Sequence, residues 1–153
     1  MQHLFFFLFV FVTASLFALL EIQIEGPHGW AEKLPTWRIK PKSKGFLRLF
    51  AAPEKPITGY HIYTWILYFI ILHIIFFFTQ WSFYKELFIV AYYSFFLSLE
   101  DFLYFIYSPY WGLKKFNKEN IKWHTIWFLG LHLQYWFKFP LALILYWLAT
   151  RGL

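Results

Sequence analysis

The stretch Leu87 to Tyr107, LFIVAYYSFFLSLEDFLYFIY, most limits what this chain can become. It has the length to cross a bilayer as a helix, which takes about 20 predominantly apolar residues. Near its end stand two adjacent acids, Glu100 and Asp101. An acid at the centre of a span costs roughly 2.5–3.5 kcal/mol, and each Leu, Ile, Phe or Val returns about 0.3–0.6 kcal/mol. The apolar residues here recover about 4–7 kcal/mol, close to the cost of two central acids. The segment is marginal alone and needs neighbours. Acids inside a span face a bundle interior and mark a site.

A helix turns about 100° per residue. Ser94, Ser98 and Asp101 therefore share one side, and Glu100 shares another with Tyr93, Leu97, Tyr104 and Tyr107. The predicted helix has a polar edge about two residues wide.

The rest of the chain agrees with a membrane setting. Of its 153 residues 60% are hydrophobic, 27% aromatic and only 14% charged, against about 25% charged in soluble domains. The expected fold is all-α, a polytopic bundle with spans over 4–20, 62–80, 87–107 and 133–150 and an interfacial or tilted helix over 121–134. One membrane-embedded bundle accounts for residues 1–153. The first apolar run is long for a signal peptide and no Lys or Arg precedes it, so a retained span is expected.

Residues 21–61 form a long connection with prolines at 27, 35, 41, 53 and 56, which forbid a long helix there. Trp30, Trp37, Phe46, Leu47 and Phe50 suit a loop folded against the headgroups as a lid. This loop carries seven Lys and Arg and the 108–122 loop four, whereas Lys85 and Arg151 stand opposite. The positive-inside rule then places both large loops in the cytoplasm and both termini across the membrane. The formal charge of +6 suits anionic lipid headgroups, and no nucleic-acid recognition module is present. A homo-oligomer or a larger membrane complex fits so small a bundle.

On that topology acids and imidazoles from four segments reach one membrane level. Glu21, Glu25 and His28 follow the first span, His61 opens the second, Glu100 and Asp101 lie in the third, and His124 begins the last segment. Glu100, Asp101, His61 and His124 form the leading site, with Glu25 and His28 in second rank. With no cysteine, a metal must be held by His, Asp and Glu, a donor set that suits Fe, Zn or Mn. The carboxylates of Glu100 and Asp101 would ligate the cation or serve as general base. His73 shares its face with Phe69, Phe76 and Phe77 and reads as a hydrogen-bonded packing residue. His124 and His132 are eight apart, about 80° around a helix, and on that reading do not chelate as a pair.

Three functions follow from these residues. The first is a metal-dependent enzyme or metal-binding protein acting on a lipid-soluble substrate. The second is a proton-coupled transporter or relay, for which intramembrane acids beside histidine are the usual parts. The third is a non-catalytic accessory subunit or assembly factor. Phosphate-loop, dinucleotide-binding and nucleophile-elbow signatures are absent.

Overall fold

The computed structural model describes residues 1–26, 29–39, 55–124 and 126–152. It is mostly helical, and three of its helices are long and apolar enough to cross a membrane.

The first, α1 (Gln2–Glu25), is apolar on nearly every side but buries only Phe6, Val10, Ala14, Ala18, Ile22 and Glu25. These recur at every third or fourth residue, so they form a single stripe. Small Ala14 and Ala18, fully buried, let a neighbouring backbone come close. A two-residue strand, β1 (Arg38–Ile39), pairs antiparallel with β2 (Ile57–Thr58), which leads into α2 (Gly59–Leu72). Thr58 caps α2, its hydroxyl accepting from the His61 backbone N–H at 3.3 Å. A 3-10 turn, His73–Phe77, extends α2 to the full length of the second apolar segment.

The longest helix is α3 (Phe83–Tyr107), capped by Ser82 and packed against both α1 and a later helix. The short α4 (Gly112–Lys115) follows, then the antiparallel hairpin of β3 (Trp127–Phe128) and β4 (Leu131–His132). The chain ends in α5 (Leu133–Thr150), which contains Pro140. Its bounds are those expected of the last span. Gln134 and Lys138 near its start keep it less apolar than the other three.

Successive long helices run in alternating directions. Phe6 meets Phe88 while Tyr104 reaches the Gly26 carbonyl, so α1 and α3 are parallel. His73 meets Glu86 while Trp65 meets Tyr93, so α2 is antiparallel to α3. Tyr135 meets Asp101 and Tyr146 meets Phe88, so α5 is antiparallel as well. A hydroxyl chain, Thr13–Tyr92–Tyr68 at 2.7 and 2.9 Å, ties α1, α3 and α2 at mid-height. Among the described residues nothing covers the outer face of α2 and its 3-10 extension, where Ile66, Leu67, Ile70, Ile71 and Ile74 are exposed. That apolar surface suits lipid.

Two expectations are corrected. The helix expected over 121–134 is replaced by the β3–β4 hairpin. Leu129 and Gly130 at its tip have φ of 47° and 79°, the pair of positive values that a tight two-residue hairpin turn requires. The first helix also runs past Leu20 to Glu25 and stops at Gly26, whose φ of 71° breaks it.

Candidate functional site

Because α1 continues to Glu25, Glu21 and Glu25 lie one helical turn apart on the same face. At the head of α2, His61 turns its ring toward them. Its Nε2 lies 3.0 Å from Glu25 Oε1, and both side chains are less than a tenth exposed. The approach is not aligned as a hydrogen bond, so Glu25 Oε1 stays without a hydrogen-bond donor. The other ring nitrogen, Nδ1, lies 2.6 Å from the Thr58 hydroxyl. Thr58 therefore holds the ring by one nitrogen and leaves the other to face the acids.

One oxygen of Glu25 has a fixed partner, since Oε2 accepts the backbone N–H of Trp30. This turn is unusual: Trp30 and Ala31 have φ of 59° and 53°, left-handed values rare outside glycine. The adjacent Gly29, at φ 63°, is required, because an added Cβ would lie 2.7 Å from the Tyr104 hydroxyl. Backbone geometry here is spent on aiming an N–H at a carboxylate.

Glu100 comes from α3 and meets Glu21 side chain to side chain. Two carboxyl groups in contact require a shared proton or a cation between them. Glu100 is 6% exposed, and its Oε1 has no partner. Asp101, next in sequence, points elsewhere: its Oδ2 accepts from Gln134 Nε2 at 3.2 Å and from the Tyr135 hydroxyl. Beyond Asp101 the rings of His124 and His132 stack, centroids 4.3 Å apart and planes 19° from parallel. Both rings are buried, and the Nδ1 of each is without a partner. Burial lowers the His124 pKa, and burial with the neighbouring His124 pushes His132 down to about 4. Burial thus disfavours the charged form of both rings.

These groups line one cavity of about 310 Å³. Trp30, Trp65, Trp111, Trp123 and Phe105 supply much of its wall, and Lys55 and Lys138 also reach it. Lys55 lies 4.3 Å over the Trp123 ring, and burial lowers its pKa. Ligand atoms of Glu21, Glu25 and His61 fall within 4.8 Å of one another. Ligand atoms on tetrahedral metal bonds of about 2.1 Å lie about 3.4 Å apart, near the 3.0 Å Glu25–His61 approach and inside the 4.8 Å that bounds Glu21.

Of the residues singled out in the sequence, Glu25, His61, Glu100, Asp101 and His124 all reach this cavity. His28 lies outside the described residues. Within the cavity His61 meets Glu25, while Glu100 meets Glu21. Glu21 and His132 also line the cavity, and the sequence reading did not rank them. Their signals were the four-residue spacing of Glu21 and Glu25 and the Leu129-Gly130 turn that folds His132 back on His124. His73 is a hydrogen-bonded packing residue, its Nδ1 2.7 Å from the Phe69 carbonyl and its Nε2 3.0 Å from Glu86.

No protein-family model matches the chain, and comparison with curated proteins and with solved structures finds no match.

Proposed function

We propose that this is a four-span membrane protein whose cavity binds a divalent metal and uses it on a lipid-soluble substrate. The observation that carries the reading is the buried Glu25–His61 approach at 3.0 Å, unaligned as a hydrogen bond and with Glu21 beside it. Buried charge is tolerated when it is paired or coordinates a metal. Glu21, Glu25 and His61 would ligate the ion, with Glu100 as a further ligand or general base. The Thr58 hydroxyl would accept the Nδ1–H of His61 and so present the Nε2 lone pair to the metal. Fe, Zn and Mn suit a site of carboxylates and imidazole.

The cavity's tryptophan and phenylalanine walls suit an apolar substrate entering from the bilayer. The alternating helix directions support α5 as the fourth span, and the described basic residues Lys33, Arg38, Lys55 and Lys114, Lys115, Lys118 and Lys122 then fall on the cavity side. By the positive-inside rule that side is cytoplasmic. The basic loops there would meet anionic lipid headgroups, and the bare apolar face of α2 would meet lipid or another membrane subunit.

The test is the metal content of protein purified in lipid nanodiscs without chelator. Stoichiometric first-row metal, lost in Glu25→Gln, is the expected result. Metal-free wild-type protein after supply of Fe, Zn and Mn would contradict the reading. A proton relay is the second reading, favoured by the Glu21–Glu100 carboxyl contact. It requires pH-driven flux in proteoliposomes that Glu100→Gln abolishes.

A further inference from the structure

The donors around the cavity fall into two groups, and the first does not use the second. Asp101, His124 and His132 come from α3, the segment after α4 and β4, and they face the same space as Glu21, Glu25 and His61. We propose that the centre is dinuclear, with a second divalent cation seated by Asp101, His124 and His132 and with Glu100 bridging the two positions. This rests on the metal reading given above.

Three observations carry it. The Nδ1 atoms of His124 and His132 are buried and have no partner among the described residues, on residues 5% and 6% exposed. A buried polar atom without a partner is costly. The ligand atoms of Asp101, His124 and His132 do not all lie within 4.8 Å of one another as those of Glu21, Glu25 and His61 do, so one cation would draw them together. Second, Gln134 and Tyr135 occupy only Oδ2 of Asp101, which fixes the carboxylate while leaving Oδ1 for an ion. Donors of this kind orient the ligands of metal sites. Third, Glu100 lines the same cavity, contacts Glu21, precedes Asp101 in sequence, and keeps a buried Oε1 with no partner among the described residues.

Charge agrees with this arrangement. Glu21, Glu25, Glu100 and Asp101 line the cavity with Lys55 and Lys138, yet among the described residues neither lysine forms an ion pair with a carboxylate. Two ions about 3.5–4 Å apart, the usual separation in two-metal sites, fit within 310 Å³. Imidazole lone pairs lie in the ring plane, so shared ligation would open the His124–His132 stack from its present 19°.

The experiment loads chelator-stripped protein in nanodiscs with Mn²⁺, removes free ion by gel filtration, and counts bound manganese by mass spectrometry. Wild type should hold about two ions per chain with an exchange-coupled electron paramagnetic resonance spectrum, as paired metals give. His132→Gln should hold about one, with an isolated-ion spectrum, and Asp101→Asn provides the same check through a different element. One ion in wild type, lost in His61→Gln and untouched by His132→Gln, would overturn the second seat and leave the first standing. Two ions unaffected by both His132→Gln and Asp101→Asn would overturn the assignment of ligands. No bound metal in wild type after the same loading with Mn²⁺, Zn²⁺ and Fe²⁺ in turn would overturn both readings.

Discussion

Two glutamate–histidine pairs stand at opposite ends of the bundle, each at 3.0 Å, and they do different work. At one end His73 has an acceptor at both nitrogens, the Phe69 carbonyl and Glu86, while the second oxygen of Glu86 accepts from Trp81 at 3.2 Å. Both nitrogens of this ring are engaged, which leaves neither open to a metal. Its side chains are 27% and 29% exposed. At the other end His61 and Glu25 are 8% and 4% exposed, approach without alignment, and have Glu21 and Glu100 nearby. Residue types and spacing alone do not distinguish the pairs. Burial and leftover bonding capacity do.

The contrast can be broken by substitution. The largest effect is expected at the buried pair: His61→Ala or Glu25→Ala should weaken metal binding more than about 100-fold, beyond the range seen for outer-shell partners. Isothermal titration with Zn²⁺ measures this, and near-wild-type affinity would erase the distinction. Next in size is Thr58→Ala, which frees the His61 ring while keeping every ligand. It should cost about 10–100-fold in affinity, and Thr58→Ser should restore most of it.

Acidity should act more gently. His132 titrates at about 4, below its ordinary 6.5, so the unfolded chain takes up the proton first as pH falls. The metal-free protein should therefore be most stable above about pH 6.5 and lose stability down to about pH 4, where the slope from this group ends. Thermal unfolding in chelator shows the slope, and His132→Gln should flatten it. The smallest effect belongs to the other pair. Glu86→Gln should change stability by no more than about 1 kcal/mol, as partly exposed pairs do, and leave metal binding unaltered.

The membrane helices were legible because a span leaves a signal of length and hydropathy that needs no tertiary knowledge. Glu100 and Asp101 were legible for the same reason, as charge out of place in an apolar run. The end of α1 was harder to read. Pro27 and Gly26 announce a loop, but Ile22 to Glu25 carry the helix up to them, and that added turn brings Glu21 and Glu25 to one face. The hairpin at 127–132 was hidden by its own composition, since WFLGLH offers apolar residues to a helix and a strand alike. Only the turn at Leu129 and Gly130 separates the two, and it stacks His132 on His124, a contact that eight residues of helix would forbid.

The central claim is that the cavity end binds a divalent cation and the other end does not. Mn²⁺ titration followed by the free-ion electron paramagnetic resonance signal, run on wild type, His61→Gln and His73→Gln in nanodiscs, tests it most directly. Wild type and His73→Gln should deplete the free signal equally, while His61→Gln should deplete it no more than about half as much. Equal depletion by all three, or none by any, would contradict the account.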